Sequence, residues 1–325
     1  MQAETPFDTH RKKDIQLIIM PLQHNNKFLI VLLGPTGVGK TGVSLQIAQK
    51  FNAPILSSDS RQFFRELVIG TAAPTPEQLK QAPHYFVGHK TITERYSCGM
   101  FEVDALNLLQ KLFTNHDTVL MVGGSMLYID AVCEGIDNFP TPNPEIRARL
   151  ANQLECDGLE SLKDQLKQLD PEHYRRVDLN NPQRVLKAVE VCLQTGRTYS
   201  SFLTSNKPPR PFGIVKIGLN RPRSELYELI NQRVDGMMCD GLLDEARLLH
   251  PLKHLNSLKT VGYRELFAYL EGKLTLSEAV DLIKRNSRRY AKRQLTWWGP
   301  DGSITWFHPS NTDAIEKHIA NCITP

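Results

Sequence analysis

The chain has 325 residues, and 39 lysines and arginines against 35 aspartates and glutamates give it a formal net charge of +4. With 41% hydrophobic and 23% charged residues, it is neither intrinsically disordered nor collagen-like. At about 150 residues per domain the length predicts two domains, and no apolar run approaches the roughly 20 residues that a membrane-spanning helix needs. We therefore expect a globular protein that does not span a membrane.

The N-terminal segment and the cysteines indicate the compartment. The apolar stretch after Lys13 is too short for a signal peptide, and no small-residue cleavage site follows it, so residues 1–26 are interpreted as a flexible extension. The six cysteines lie far apart without any C-x-x-C pair, which favours neither a structural zinc site nor a disulfide framework. The expected location is the cytoplasm.

Apolar runs and helical stretches alternate in the first part of the chain. Continuous runs rich in Leu, Ile and Val at residues 27–33, 54–58 and 118–122 are typical of strands buried on both faces of a parallel sheet. Helices are predicted between them, at 42–51 and 101–113. This alternation predicts an α/β protein with a mainly parallel sheet.

The pattern changes near residue 140, where three prolines mark a boundary at 140, 142 and 144. Charged helical sequence follows, and a second proline-rich segment at 207–211 precedes a return to strand-like sequence. We therefore predict a helical insertion, residues 138–208, within one α/β core formed by residues 27–137 and 209–325. The remaining predicted elements are helices at 145–168, 182–194, 224–249 and 276–298, and strands at 212–219 and 304–307.

Residues 34–41, GPTGVGKT, match the phosphate-binding pattern G-x-x-x-x-G-K-[ST] between a predicted strand and a predicted helix, which indicates a P-loop NTPase-like core. The backbone N–H groups and the helix N-terminus bind an anion, Lys40 neutralises phosphates, and the Thr41 hydroxyl suits Mg²⁺. The strand at 118–122 ends in two glycines and a serine instead of the acidic residue typical of nucleotide hydrolases, which counts against an ATP-driven motor. The predicted phosphate-binding residues are Gly34, Pro35, Thr36, Gly37, Val38, Gly39, Lys40 and Thr41.

Three further features carry charge. Asp59 follows the second predicted strand, at the sheet edge where open α/β sheets bind ligands, and its position suits a general base or a metal-water ligand as well as an N-cap. Arg264 lies in a short glycine-bearing turn and suits phosphate capture, although a surface ion pair is the commoner role of a lone arginine. A basic stripe on one helix fits an RNA backbone and a solvated helix face equally well, and consists of Lys284, Arg285, Arg288, Arg289, Lys292 and Arg293.

Together these segments resemble the bacterial tRNA dimethylallyltransferase (tRNA isopentenyltransferase) family. The resemblance covers about residues 28–300, insertion included, and the motifs follow the order of the family. The chain departs from the family at Ala73, where many relatives have lysine, at Gly299, where an arginine often follows the aromatic pair, and at Ser125, where threonine is usual. The matching segments are residues 34–41, 59–62, 69–72, 122–128, 182–184, 261–264 and 292–297.

The resemblance implies transfer of a dimethylallyl group from dimethylallyl diphosphate to the exocyclic amine of adenosine at tRNA position 37, with Mg²⁺ as cofactor. Asp59 is then the general base, and Lys40 and Arg264 stabilise the departing diphosphate. The insertion contacts the anticodon arm, and a monomer is expected. The tRNA-binding residues implied by the resemblance are Asp59, Ser60, Arg61, Gln62, Ser125, Arg147, Gln183, Arg184, Lys187, Lys259, Gly262, Tyr263, Arg264, Arg288 and Arg289.

Three alternative functions use the same phosphate loop. A small-molecule or nucleotide kinase would use ATP with Asp59 as base, but it would have no use for the basic stripe. An enzyme that prenylates free adenine nucleotides would not need the helical insertion. A GTPase-like RNA-binding module would need a guanine-reading N/T-K-x-D motif, which the sequence lacks.

Overall fold

The computed structural model describes residues 26–204, 207 and 209–324. The predicted N-terminal extension, apart from its last residue, lies outside this part of the chain. The described residues belong to two compact units. The first contains the chain up to Glu94, Leu108–Gly124 and the chain from Arg210 onward, and the second contains Arg95–Asn107 and Ser125–Pro209. The functional boundaries expected from the sequence, at residues 138 and 208, stay a prediction.

The first unit contains a six-stranded sheet in which every pairing is parallel. Its strands are β1 (Phe28–Leu33), β2 (Ile55–Ser57), β3 (His84–Tyr85), β4 (Thr118–Gly123), β5 (Gly213–Leu219) and β6 (Ile304–Phe307). Their order across the sheet is β3-β2-β4-β1-β5-β6. The α/β class and the parallel sheet are therefore confirmed, and the sequence missed only the two-residue β3 among the described strands.

Thirteen α-helices lie within the described residues. In chain order they are α1 (Lys40–Lys50), α2 (Pro76–Leu79), α3 (Cys98–Leu112), α4 (Met126–Cys133), α5 (Pro144–Cys156), α6 (Gly158–Leu169), α7 (Pro171–Arg176), α8 (Pro182–Thr195), α9 (Arg223–Cys239), α10 (Leu242–Leu249), α11 (Tyr263–Leu270), α12 (Leu276–Trp298) and α13 (Thr312–Ile323). None of the helices in this part of the chain combines the length and apolar composition needed to cross a bilayer.

Two of the predicted helices were wrong in one respect, because each is broken by a glycine. The stretch predicted at 224–249 forms α9 and α10, separated at Gly241, whose φ of 100° does not fit a right-handed helix. The stretch predicted at 145–168 divides in the same way at Gly158, where φ is 79°. Neither break contains a proline.

The core of the first unit fixes the strand ends from which the site is built. In the central strand β1, residues 29–33 have at most 1% of their surface exposed. Ile30 and Leu32 pack with Ile217 of β5, Ile47 of α1 and Ile230 of α9 in one hydrophobic cluster. This packing holds the end of β1, the start of α1 and the middle of α9 around the loop that follows β1.

The second unit is mainly helical. Helices α5, α6 and α8 pack around a small apolar core in which Leu150, Leu162 and Val189 are completely buried. Helix α8 begins at an N-cap, Asn181, whose side chain accepts a hydrogen bond from a backbone N–H of the first turn, and it ends at Gly196 in the left-handed conformation. These signals explain why the sequence predicts α8 almost to the residue.

Candidate active site

The loop between β1 and α1 carries the phosphate-binding motif. It leaves β1 at Gly34, and α1 begins at Lys40, so the first turn of α1 offers the backbone N–H groups that bind anions at helix N-termini. Gly37 has a φ of 80°, and a Cβ at this position would lie 2.8 Å from Cγ1 of Ile230 on α9. The shape of the loop therefore depends on glycine and on the packing of α9 against it.

Lys40 folds back over this loop. Its Nζ donates hydrogen bonds to the carbonyl oxygens of Gly34 and Pro35, each at 2.9 Å. Burial and the positive charge of Arg233 lower the pKa of Lys40 from 10.5 to about 7, while the carboxylate of Asp59 acts in the opposite direction. An anion bound in the loop would raise the pKa of Lys40 again, because it adds a second negative charge to that of Asp59.

Arg233 is the second cation at the loop, and the sequence analysis did not identify it. Its guanidinium donates to the hydroxyl of Thr36 at 3.2 Å and to the carbonyl oxygen of Thr71 at 3.4 Å. Burial lowers the pKa of Arg233 too, again opposed by Asp59. Arginine keeps its proton in such surroundings, so Arg233 is a fixed positive charge beside Lys40.

Asp59 follows β2 and supplies negative charge near both cations. Its Oδ1 accepts the backbone N–H groups of Arg61 at 2.9 Å and Gln62 at 3.4 Å, which fixes the plane of the carboxylate. The negative charge of Asp59 raises the pKa of both Lys40 and Arg233, so the three charged groups form one cluster. The structure thus gathers two predicted site residues, Lys40 and Asp59, with one that was missed.

Gln62, predicted to contact tRNA, instead has both ends of its amide bound within the protein. Its Oε1 accepts from the hydroxyl of Ser57 at 3.0 Å. Its Nε2 donates to the carbonyl oxygens of Thr71 at 3.2 Å and Ala72 at 3.1 Å. Gln62 therefore connects the end of β2 to the loop that also receives Arg233.

A second glutamine, Gln294 of α12, joins the phosphate loop to the end of β4. Its Oε1 accepts the backbone N–H of Thr36 at 2.9 Å, and its Nε2 donates to the carbonyl oxygen of Gly124 at 2.7 Å. The hydroxyl of Tyr290, one turn earlier, donates to the same carbonyl at 3.1 Å. With 1% of its surface exposed, Gln294 is a buried polar bridge that holds Thr36 in place.

Four predicted site residues with different surroundings lie in the turn before α11 and in the first turn of that helix. Gly262 has a φ of 100°, and its N–H donates to Glu265 at 2.9 Å. Tyr263 is completely buried, so its side chain has no surface for a tRNA contact. Arg264 is 55% exposed, and its nearest anionic partner is Glu265 at 3.9 Å. Lys259 is exposed. Within the described residues, Arg264 forms no hydrogen bond or ion pair with the phosphate loop.

The basic stripe on α12 is partly engaged within the protein. Arg288 donates to the Asn231 side chain at 2.5 Å and lies 5.9 Å from the ring centre of Tyr227, whereas Arg289 is exposed. Lys284 forms an ion pair with Asp235 at 2.6 Å. Arg288 and Lys284 also line a pocket of about 660 Å³. The stripe is therefore anchored at one side and open to solvent at Arg289.

The second unit brings Arg147 and Lys187 together around a buried carboxylate. Glu190 is completely buried, and its two oxygens lie 3.7 Å from Arg147 Nε and 3.9 Å from Lys187 Nζ. Burial lowers the pKa of Lys187, Glu190 raises it, and Arg147 and Arg95 lower it further. Two cations therefore share one anion, Arg95 adds positive charge near Lys187, and this part of the unit carries excess positive charge.

Three more predicted site residues lie in the second unit, outside that ion cluster. Gln183 and Arg184 are exposed on the first turn of α8. Ser125 occupies the N-cap position of α4 and is 8% exposed. Of these three, Gln183 and Arg184 present their side chains to solvent.

The chain is similar to known proteins along nearly its whole length. A protein-family model described as IPP transferase matches residues 62–300. The tRNA dimethylallyltransferase 2 of Parabacteroides distasonis is 57% identical over 295 residues, which cover 91% of this chain and 99% of the relative. The chain belongs to the IPP transferase family. A second relative, the tRNA dimethylallyltransferase 1 of Phocaeicola vulgatus, is 55% identical over 90% of this chain and 97% of its own.

Solved structures agree with this membership. The full-length tRNA isopentenylpyrophosphate transferase of Bacillus halodurans has a TM-score of 0.68 at 34% identity, over 92% of this chain and 97% of that chain. A eukaryotic dimethylallyltransferase acting on tRNA shares the fold with a TM-score of 0.77, at 24% identity over 90% of this chain and 77% of that chain. The family and the enzyme class predicted from the sequence, tRNA dimethylallyltransferase, are confirmed. None of these relatives supports the kinase alternative.

A divalent metal ion is the cofactor that this family generally needs, and the phosphate loop presents an oxygen donor that would suit one. Thr41 is exposed on the first turn of α1, and its hydroxyl forms no hydrogen bond within the described residues. Mg²⁺ prefers oxygen ligands and keeps several waters, so Thr41 and a diphosphate suit it better than an all-protein cage. No cluster of three or more His, Cys, Asp or Glu in the described part of the chain could hold a metal.

Proposed function

We propose that this member of the IPP transferase family transfers a dimethylallyl group from dimethylallyl diphosphate to the exocyclic amine of adenosine 37 of tRNA. The amine nitrogen forms a bond to the first carbon of the dimethylallyl group, and the bond from that carbon to the diphosphate oxygen breaks. The nitrogen loses one proton, and the bonding electrons leave with the diphosphate. The cluster of Lys40, Arg233 and Asp59 at the phosphate loop is the observation that supports this proposal most directly.

The cations are assigned to the leaving group. Negative charge grows on the diphosphate oxygens as the carbon–oxygen bond breaks, and fixed positive charges aimed at those oxygens stabilise the transition state. Lys40 and Arg233 supply two such charges, and the backbone N–H groups at the start of α1 supply further donors. Mg²⁺ held by the Thr41 hydroxyl would neutralise the remaining charge on the diphosphate. Arg264 remains a predicted contributor to the same stabilisation.

Asp59 is assigned as the general base. The amine becomes acidic only as it bonds to carbon, so a carboxylate within hydrogen-bonding distance can accept its proton late in the reaction. Two backbone N–H groups hold Oδ1, which leaves Oδ2 as the oxygen assigned to the amine.

Residues of both the core and the insertion are proposed to contact tRNA. We assign donor binding and catalysis to the core of residues 27–137 and 209–325, and the anticodon arm to the insertion of residues 138–208. Excess positive charge around Glu190 supports a phosphate contact by Arg147 and Lys187. The exposed core residues proposed to contact tRNA are Arg264, Lys259 and Arg289; Ser60, Arg61 and Arg288 are assigned with them, as are Gln183 and Arg184 in the insertion.

A cytoplasmic monomer is the proposed form. All six cysteines are free thiols, which supports a reducing compartment. One chain carries the phosphate loop, both cations and the carboxylate, which supports a site that needs no second copy.

A transfer assay tests this proposal. Purified protein, Mg²⁺, isotope-labelled dimethylallyl diphosphate and an unmodified tRNA transcript are incubated, and the digested nucleosides are analysed by mass spectrometry. A transcript with guanosine at position 37 is the matched control. Label on adenosine 37 alone supports the proposal, whereas label elsewhere, or none, contradicts it. Replacing the labelled donor with ATP tests the kinase alternative in the same reaction.

A further inference from the structure

A carboxylate outside the charged cluster gathers an unusual number of donors. Glu245 of α10 accepts the backbone N–H groups of Val68 at 3.1 Å and Ile69 at 2.8 Å on Oε2. Its Oε1 accepts the N–H of Gly70 at 2.9 Å and the hydroxyl of Tyr263 at 2.6 Å. One side chain therefore binds a phenol and three consecutive backbone N–H groups. The backbone groups belong to a loop that lies at least 175 residues earlier in the sequence.

The charge of Glu245 matters for this arrangement. Successive N–H groups that converge on one point form a concave site for an anion, and hydrogen bonds to a charged acceptor are about twice as strong as neutral ones. A glutamine at this position would offer one oxygen, and its NH₂ group would face donors that need an acceptor. Burial and the neighbouring Glu245 raise the pKa of Tyr263, so its hydroxyl stays a donor.

The loop that Glu245 holds leads directly to the proposed catalytic groups. The two residues after Gly70 present their carbonyl oxygens to Gln62, and the carbonyl of Thr71 also accepts from Arg233. Gln62 in turn donates its backbone N–H to Asp59. The loop thus lies between Glu245 on one side and the groups around the diphosphate and the base on the other.

The fourth donor connects Glu245 to α11. Tyr263 is the first residue of α11 and immediately precedes Arg264. Gly70 lies against the Tyr263 ring so closely that a Cβ at position 70 would fall 2.5 Å from the hydroxyl oxygen. The motif segments at 69–72 and 261–264 therefore meet at a single carboxylate.

We propose that Glu245 is a positioning residue for the transfer reaction: it fixes the 68–72 loop and the start of α11, and through Thr71 it sets the orientation of Arg233. This inference rests on the function proposed above for the phosphate loop and Asp59. Glu245 touches neither substrate in this proposal. Its effect is expected mainly on kcat, because in the proposed function the ground-state diphosphate is held by Lys40 and the N-terminus of α1, and Lys40 bonds to none of the partners of Glu245.

The test compares Glu245→Gln with the parent in single-turnover transfer at saturating donor and tRNA. The rate constant is divided by the folded fraction measured by circular dichroism at the same temperature. A drop of about tenfold to a hundredfold is expected per folded molecule, the range for a lost charged hydrogen bond, with diphosphate affinity changed less than threefold. Tyr263→Phe, which removes one of four donors, is expected to show a smaller loss in the same direction.

Asp244→Asn is the matched control, because Asp244 is the exposed neighbour on α10 and pairs only with Arg247 among the described residues. It removes the same charge and is expected to leave the rate within twofold. A Glu245→Gln rate constant per folded molecule within twofold of the parent overturns the positioning role, as does a loss that the folded fraction fully explains. A parent enzyme that transfers nothing to tRNA would instead contradict the proposed function, so the two failures are distinguishable.

Discussion

Replacing Arg233 by glutamine is expected to change the pH dependence of diphosphate binding as well as its strength. Burial and then Arg233 lower the pKa of Lys40 to about 7, against the opposing effect of Asp59. Removing the neighbouring positive charge raises the pKa of Lys40 from about 7 towards 10.5. In the parent, the fraction of charged Lys40 in the free site falls about tenfold per pH unit above pH 7, and affinity falls with it. In the variant this decline begins at a higher pH.

Two measurements separate this indirect effect from the direct loss of a cation. Calorimetric titration with inorganic diphosphate and Mg²⁺ gives the pH at which diphosphate affinity begins to decline. Titrations between about pH 6 and pH 9 cover both sides of the Lys40 pKa of about 7. Single-turnover transfer gives the direct loss, which we expect to be about 10²–10³-fold, the usual range for removing one donor to a developing anion. Arg223→Gln is the matched control, because it removes an exposed arginine from the same helix, α9.

Any of three results would refute this reasoning. Affinity curves of the same shape for Arg233→Gln and the parent would mean that Arg233 does not set the pKa of Lys40. Transfer within threefold of the parent would remove Arg233 from the diphosphate site, whatever the pH profile. A shift in Arg223→Gln equal to that in Arg233→Gln would attribute the effect to net charge, because both variants lose one positive charge.

Asp59→Asn is expected to slow transfer by about 10²–10⁴-fold with diphosphate affinity kept, since it removes only the proton acceptor; parental turnover in this variant would contradict the base assignment. Replacing Arg288 and Arg289 by glutamine is expected to weaken tRNA binding. It is also expected to reduce the slope of log affinity against log salt by roughly 1.4, the value for two single-strand phosphate contacts. An unchanged slope would mean that the basic stripe is a plain solvated helix surface. Glu190→Gln removes the charge that raises the pKa of Lys187, so Lys187 loses its proton at a lower pH in the variant. In binding titrations up to about pH 9, tRNA affinity is therefore expected to decline at a lower pH than in the parent. Identical pH profiles would rule out this coupling.

The sequence predicts those parts of the molecule that are encoded by neighbouring residues. Residues 34–41 contain the whole phosphate loop in one run, and apolar runs delimit β1, β4 and β5 within a residue or two. Asp59 was placed correctly at the end of a strand because the β2 run is short and ends in polar residues. These features need no knowledge of which helix packs against which strand.

Arg233 and Gln294 were missed because their roles depend on tertiary packing. Each does leave a signal: a polar side chain on the buried face of a helix. Arg233 lies three residues after the buried Ile230, and Gln294 lies between the buried Ala291 and Trp298 at spacings of three and four. An arginine or glutamine that is buried or half-buried in such a stripe needs a partner, and here both find one in Thr36.

The end of β4 explains why this phosphate loop operates without the acidic residue of nucleotide hydrolases. A Cβ at Gly124 would lie 2.4 Å from Gln294 Nε2, and a Cβ at Gly123 would lie 2.2 Å from the hydroxyl oxygen of Ser58. A carboxylate at either position would therefore displace the glutamine that holds Thr36 or the start of the Asp59 segment. The carboxylate of the site comes instead from the neighbouring strand, β2, where it lies near Lys40 and Arg233. In that place it suits the proton acceptor that we propose for the attacking amine, and in the proposed reaction the phosphate loop binds the leaving diphosphate.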